Sequence, residues 1–205
     1  MNIGLVRRGY SPTGGAEAYL RRFVEALLAE GHQCMLFTSA DWPRAALPAG
    51  SHLKRLPGSS PLAFANALKQ ARADTPCDYL FSLERVWSCD AYRAGDGVHR
   101  AWLKRRARIE PFWKRWGVAL SSKHRQLLAL ESRLFSPEGA GITIANCRMV
   151  KEEIIREYSY PAERIHVVYN GLPTSKPHEA LRAETREQLG LAESDYVLLL
   201  SLIHI

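Results

Sequence analysis

Apolar positions in this chain fall into short unbroken runs, each followed by a stretch with apolar residues every three or four positions. The first run is "NIGLV" at residues 2–6. Behind it, "AEAYLRRFVEALLAEGH" carries apolar residues at Ala16, Tyr19, Leu20, Phe23, Val24, Leu27 and Leu28. That spacing lines one face of a helix, and Gly31 is placed to close it. "QCMLFTS" predicts a second buried strand and "LKRL" a short third. "PLAFANALKQAR" predicts a helix with Pro61 near its start, and "DYLFSL" a strand at 78–83. Residues 84–117 show no clean period. After them the pattern predicts a helix in "GVALSSKHRQLLALESRLF", a strand in "GITIANC" and a helix in "RMVKEEIIREYS". "RIHVVYNG" reads as a strand ending at a turn, "HEALRAETREQLGL" as a helix and "DYVLLLSLI" as a final strand. Strands alternating with helices predict an α/β fold: a Rossmann-like, doubly wound, mostly parallel sheet covered on both faces.

The pattern breaks at "YNGLPTSKP", where Asn170-Gly171 and two prolines separate packed units. Residues 1–170 are expected to form one domain. Residues 171–205 are read as a linker and the incomplete start of a second domain, because one helix and one strand are too little to bury a core. The apolar "SLIHI" stands where a turn into the next helix would be expected.

Composition narrows the class. The chain is 46% apolar and 24% charged, enough for a real core. No apolar run approaches the roughly 18 residues that cross a bilayer. The short apolar stretch before Arg7 and Arg8 is in the wrong order for a secretion signal. Cys34, Cys77, Cys89 and Cys147 are scattered without metal-ligand spacing, and read as reduced thiols of a cytosolic protein. The net charge of +7 matters chiefly through where it sits.

The first turn from strand to helix carries the first candidate chemistry. In doubly wound sheets, ligands bind beyond the carboxyl ends of the strands. Here that turn is "RRGYSPTGG", with Gly14-Gly15 directly before the helix. Glycine lets the backbone approach a phosphate or sugar, and a helix N-terminus offers free N–H groups to an anion. The loop is longer than the GxGxxG dinucleotide fingerprint allows. A plain tight turn is the other reading of the same residues.

Taken together, "PTGGAEAYLRRFVEALLAEGH" with "CMLFTS", "ITIANCRMVKEEI", and the crossover "RIHVVYNGLP" resemble the GT-B glycosyltransferases of family 4. These are retaining enzymes that use nucleotide sugars. Nearly the whole chain is covered, as an N-terminal half of that fold. "SLERVWSCDAYRAGDGVHRAWLKRR" is most similar to the enzymes that add glucose to heptose in the lipopolysaccharide core.

The resemblance implies roles for particular residues. Gly14 and Gly15 match the family's glycine loop near the donor's phosphates and sugar, and Glu17 a polar donor-side position after it. Asp96, in "AGDGVH", matches a polar position facing the transferred sugar and is the candidate catalytic residue. Tyr19 stands where relatives can have an acid. The cations that grip the diphosphate and the paired glutamates belong to the family's second domain and are not in this chain. The chain alone is therefore expected to be inactive. The implied partners are a UDP-sugar donor and a lipid-linked oligosaccharide acceptor, with no metal or other cofactor and no nucleic acid. The implied place is cytoplasmic, peripheral at the inner face of a bacterial cytoplasmic membrane. A GT-B enzyme for another glycan, or a non-catalytic binding module of the same fold, fits the same residues.

Glu84 and Arg85 follow the carboxyl end of a strand, and His99 follows Asp96. All three are candidates for acceptor or sugar contact, with a local ion pair and an exposed loop histidine as the alternatives. His32 and His124 read as surface residues of helices. The segment "HRAWLKRRARIEPFWKRWGVAL" holds seven Lys/Arg between Arg100 and Arg115, with Trp102, Phe112, Trp113 and Trp116 interleaved. Arg100, Trp102, Lys104, Arg105, Arg106, Arg108, Trp113, Lys114, Arg115 and Trp116 suit the surface of an anionic membrane. Tryptophans covering the acceptor cleft from within, or stacking on RNA, would use the same composition.

Overall fold

A computed structural model of the chain describes residues 1–111, 120–171 and 179–198. The chain divides into two compact units, Met1–Tyr169 and Asn170–Ile205. In the first, seven strands form one sheet: β1 (Asn2–Val6), β2 (Gln33–Thr38), β3 (His52–Arg55), β4 (Tyr79–Ser82), β5 (Cys89–Ala94), β6 (Ala140–Ala145) and β7 (Ile165–Val167). Their order is β3-β2-β1-β4-β5-β6-β7, and every pairing is parallel. The helices are α1 (Gly15–Ala29), α2 (Pro61–Asp74), α3 (His99–Ile109), α4 (Ser122–Leu134) and α5 (Arg148–Tyr158). In the second unit the described residues contain α6 (Glu179–Gln188). The doubly wound α/β architecture is the one the hydrophobic pattern predicts.

Alternation along β1 shows how the sheet divides its two cores. Ile3 and Leu5 pack with Leu20 and Val24 of α1, Leu36 and Phe81. Val6 points the other way, into a cluster with Phe64 and Leu68 of α2, Leu134 of α4 and Ile154 of α5. Gly4 shares that second face, where a Cβ would press on Leu80, Cys77 and Phe37. Local signals set the helix ends. Ser60 accepts from the Ala63 amide at 3.2 Å with Pro61 at the first helical position. Gly31, at φ +79°, ends the α1 turn.

Four expectations need correction. Residues 84–111, within the stretch that shows no clean period, hold β5 and α3, the latter ending at Ile109; residues 112–117 lie outside the described residues. The helix expected over 117–135 is interrupted at Ser121, which caps Ser122–Leu134 by accepting from the His124 amide; residues 117–119 lie outside the described residues. The strand expected over 164–171 is only Ile165–Val167. Residues 195–198 form no strand, with Tyr196 and Leu198 exposed; the rest of that predicted strand lies outside the described residues.

Candidate functional site

The strand order reverses between β1 and β4, so the chain leaves these neighbours toward opposite faces and opens a crevice at their carboxyl ends. Val6 pairs with Ser82 there, and the Leu83 amide donates to the Val6 carbonyl at 3.0 Å. The next residues therefore meet. Arg7 donates Nη1 to Glu84 Oε1 at 2.9 Å, and Nε and Nη2 to Glu17 Oε1 at 3.2 and 3.1 Å. The Arg8 amide adds a bond to Glu84 Oε1 at 3.2 Å. Burial opposes the charge on Arg7, but Glu84 and Glu17 more than compensate, and its pKa lies above the ordinary arginine value.

Glu17, on the first turn of α1, is 7% exposed, and its Oε2 has no partner among the described residues. That oxygen lies against Gly14, where any Cβ would collide with the carboxylate. Gly14 thus leaves room for the Glu17 carboxylate, which a side chain there would have to displace. Gly15 is different: a Cβ there would meet nothing within 4 Å, and its φ lies outside the left-handed region. Among the described residues nothing demands a glycine at 15. Tyr19, one turn further, lies beneath the Arg93 guanidinium, 3.8 Å from the ring centre.

Asp96 sits at the tip of the turn from β5 into α3, exposed, between Gly95 and Gly97 (φ +70°). Asn146, just past β6, donates Nδ2 to the Gly95 carbonyl at 3.1 Å, and Arg85 donates Nη2 to the Gly97 carbonyl at 2.8 Å. The Asp96 charge adds to the field at both Arg7 and Arg85, and the turn follows the carboxyl end of β5, the strand next to β4. Burial opposes the Arg85 charge; Tyr92, Glu131 and Asp96 overcome it and hold its pKa above the ordinary value. Glu84 and Arg85 are both ion-paired, though not to each other: Glu84 pairs with Arg7, and Arg85 with Glu131 at 2.9 Å.

His99 is neither in a loop nor exposed. It opens α3 half-buried, with Nε2 3.1 Å from His124 Nδ1 and its ring stacked on Trp102 at 5.5 Å. His124 is accordingly this ring's partner rather than an uninvolved surface residue. Burial lowers both histidine pKa values below the ordinary range, helped by Arg85 at His99 and by Arg106 at His124.

The basic segment is less free than its composition implies. Arg100 donates to Ser132 Oγ and the Glu157 carbonyl, each at 2.9 Å, and lies over the Tyr158 ring. Lys104 pairs with Glu157 at 2.6 Å and Arg105 with Glu153, tying α3 to α5. Arg106 bonds Glu110 at 2.7 Å and lies 5.2 Å from the Trp102 ring centre. Arg108 is exposed with no ion-pair partner among the described residues, on the same side of α3 as Lys104 and Arg105, while Trp102 and Ile109 are exposed on another side of the helix. Trp113, Lys114, Arg115 and Trp116 lie outside the described residues. No helix of the described residues is long and apolar enough to cross a membrane, and no three of their His, Cys, Asp or Glu side chains cluster as a metal would need.

Sequence reasoning missed Arg7, Asn146, His124 and Glu131. Arg7 and Asn146 carried a signal, since each directly follows a strand at the carboxyl edge. His124 and Glu131 carried none, because only tertiary packing brings α4 to the start of α3.

The family model Glycosyltransferase Family 4 matches residues 13–176. Among the solved structures that share the fold are the following two. One is WaaG, a glycosyltransferase involved in lipopolysaccharide biosynthesis, at 18% identity and TM-score 0.71, covering 93% of this chain and 52% of that one. The other is Anabaena HepE in complex with UDP and glucose, at 17% identity and TM-score 0.52, covering 93% and 50%. The chain thus spans about half the length of these structures. A search of curated proteins finds no match.

Proposed function

Because the chain belongs to glycosyltransferase family 4, we propose that it forms the acceptor-side half of a retaining transferase that moves glucose from UDP-glucose to a lipid-linked lipopolysaccharide core oligosaccharide. The observation that carries this is the contrast at the first turn. Packing explains Gly14, but the bare backbone at Gly15, at the start of α1 and beside the Arg7 cluster, is explained by a ligand that needs the space. The names of the two structural neighbours support the choice of donor and acceptor. One is a lipopolysaccharide enzyme and the other holds UDP and glucose.

In this reading Gly14, Gly15 and Glu17 shape the donor side, with Glu17 acting through the fixed carboxylate that orients Arg7. Asp96 faces the transferred sugar. Loss of the diphosphate leaves an oxocarbenium-like centre, and a carboxylate on an otherwise uncharged turn stabilises it or orients the acceptor hydroxyl. The diphosphate-gripping cations come from a C-terminal half, and closure of the two halves excludes water. Metal and other cofactors have no role in this scheme. The exposed Trp102 and Ile109 on one side of α3, with Arg108 on the side facing α5, are the described part of a helix that holds the enzyme on an anionic membrane, where a lipid-linked acceptor resides.

The test is Asp96→Ala in the enzyme assembled with its C-terminal half, assayed with UDP-glucose and core oligosaccharide. Turnover should fall by about 100-fold, with the donor KM changed less than about twofold. Unchanged turnover would leave Asp96 a turn former and remove the reading.

A further inference from the structure

Glu131 is among the most buried charged side chains of the described residues, at 1% exposure on α4, yet it lies outside the crevice. Its carboxylate accepts from Arg85 Nε at 2.9 Å, the His99 amide at 2.7 Å, the Arg100 amide at 3.0 Å and the Tyr158 hydroxyl at 2.5 Å. Two of these donors are the first amides of α3, and they need an outside acceptor. The N-cap residue, Val98, has no side-chain oxygen to offer. A carboxylate from another helix replaces the missing cap and also matches the positive end of the helix dipole.

The same carboxylate fixes Arg85, whose other nitrogen bonds the Gly97 carbonyl. Glu131 therefore holds the Gly95–Asp96–Gly97 turn twice, through Arg85 and through the start of α3. A buried ion pair is a poor device for stability alone, because apolar residues of similar volume do as well or better. We propose that Glu131 is the positioning residue of the crevice, setting the Asp96 turn through Arg85 and the α3 N-terminus without touching a ligand. This rests on the reading of Asp96 as the residue that faces sugar. It recasts Arg85 as a brace whose guanidinium is spent on Glu131 and Gly97.

The experiment follows amide exchange by NMR in the 205-residue chain, comparing wild type, Glu131→Gln and Arg85→Lys. Glu131→Gln should speed exchange of Gly97, His99 and Arg100 by at least about tenfold, the loss of about 1.4 kcal/mol of local protection. Sheet amides such as Leu5, Leu36 and Leu80 should change less than about twofold. Arg85→Lys keeps the Glu131 carboxylate and should loosen Gly97 while sparing His99 and Arg100. It decides the question by itself if Glu131→Gln does not fold. Uniform acceleration across the sheet, or no change in the turn, would overturn the proposal.

Titration with core oligosaccharide then separates the two ideas. Wild type should show shifts at Gly95–Gly97, and Glu131→Gln should bind at least about tenfold more weakly. Wild-type chain with no shifts there removes acceptor contact from the Asp96 reading, and the exchange data still decide the brace. A loosened turn that binds acceptor as tightly as wild type overturns the positioning role.

Discussion

Substituting alanine at Gly14 and at Gly15 should give opposite results, although the two glycines are adjacent. At Gly14 the backbone is extended, φ −75° and ψ 129°, which any L-residue adopts, so backbone strain is not at issue. The new methyl instead occupies the place of the Glu17 carboxylate, with Ser11 Cβ 3.2 Å away on another side. Glu17 must swing out and give up its two bonds from Arg7, at 3.1 and 3.2 Å. Losing a charge-assisted pair of this kind costs about 1.5–3 kcal/mol. The change from glycine to alanine at an N-cap adds roughly 0.5–1 kcal/mol. Gly14→Ala should therefore cost about 2–4 kcal/mol. Gly15→Ala enters open space at the first helical position and should be neutral or stabilising by up to about 1 kcal/mol. Urea unfolding supplies the numbers, and a double-mutant cycle with Glu17→Ala isolates the collision. Once the carboxylate is gone the methyl has room, so Gly14→Ala should cost only the cap term in that background, a coupling of about 1.5–3 kcal/mol. Strict additivity, or a Gly14→Ala variant as stable as Gly15→Ala, would refute the packing account of this turn.

Other outcomes follow from the histidine pair and the basic helix. His99 and His124 have pKa values lowered by burial, so the unfolded chain binds protons first as pH falls below about 6.5. Stability should be full above that value and decline as pH falls through the depressed folded-state values; His124→Gln should flatten the decline in urea titrations between pH 7.5 and 5. Liposomes rich in anionic lipid should bind the chain and release it as salt rises, with Arg108→Glu weakening binding at unchanged stability; equal binding to neutral liposomes would remove the electrostatic account. Lys104→Glu with Arg105→Glu should lower unfolding stability as well, because both cations also tie α3 to Glu157 and Glu153 of α5.

The elements legible in the sequence were those with a buried apolar face of their own. α1 and α2 show their spacing because Leu20, Val24, Phe64 and Leu68 fill the two cores. β5 and α3 hid for opposite reasons. β5, "CDAYRA", carries Asp90 and Arg93 inside a strand. Asp90 is accommodated by accepting from the Leu80 amide at 2.7 Å, and Arg93 by lying over Tyr19. α3 buries fully only Ala101. It is held by partners 25 to 57 residues later in the chain, His124, Glu131, Ser132, Glu153 and Glu157, which no local window includes. The crevice was half legible for the same reason. Residues just past each strand could be picked out, as Glu84, Arg85 and Asp96 were, but their pairing depends on strand order. Only the reversal between β1 and β4 sets Arg7 against Glu84, so the expected neighbours Glu84 and Arg85 turn away from each other to separate partners.

The basic helix shows why a count of cations overstates the field they project. Read from composition, Arg100 through Arg108 is a uniformly positive surface. In the fold, Lys104 and Arg105 face nearly buried carboxylates of α5, and Arg106 leans on Glu110 and Trp102. Each such pair is close to neutral at the distance of a membrane or a charged glycan, because opposite charges a few ångströms apart cancel within a Debye length of about 8 Å. What remains on the described part of α3 is one cation without an ion-pair partner, Arg108, on the side of Lys104 and Arg105, and on another side a small exposed apolar patch of Trp102 and Ile109. Such a helix draws on burial in the headgroup region as much as on attraction to anions. Salt should therefore weaken, but not abolish, the contact that these residues make.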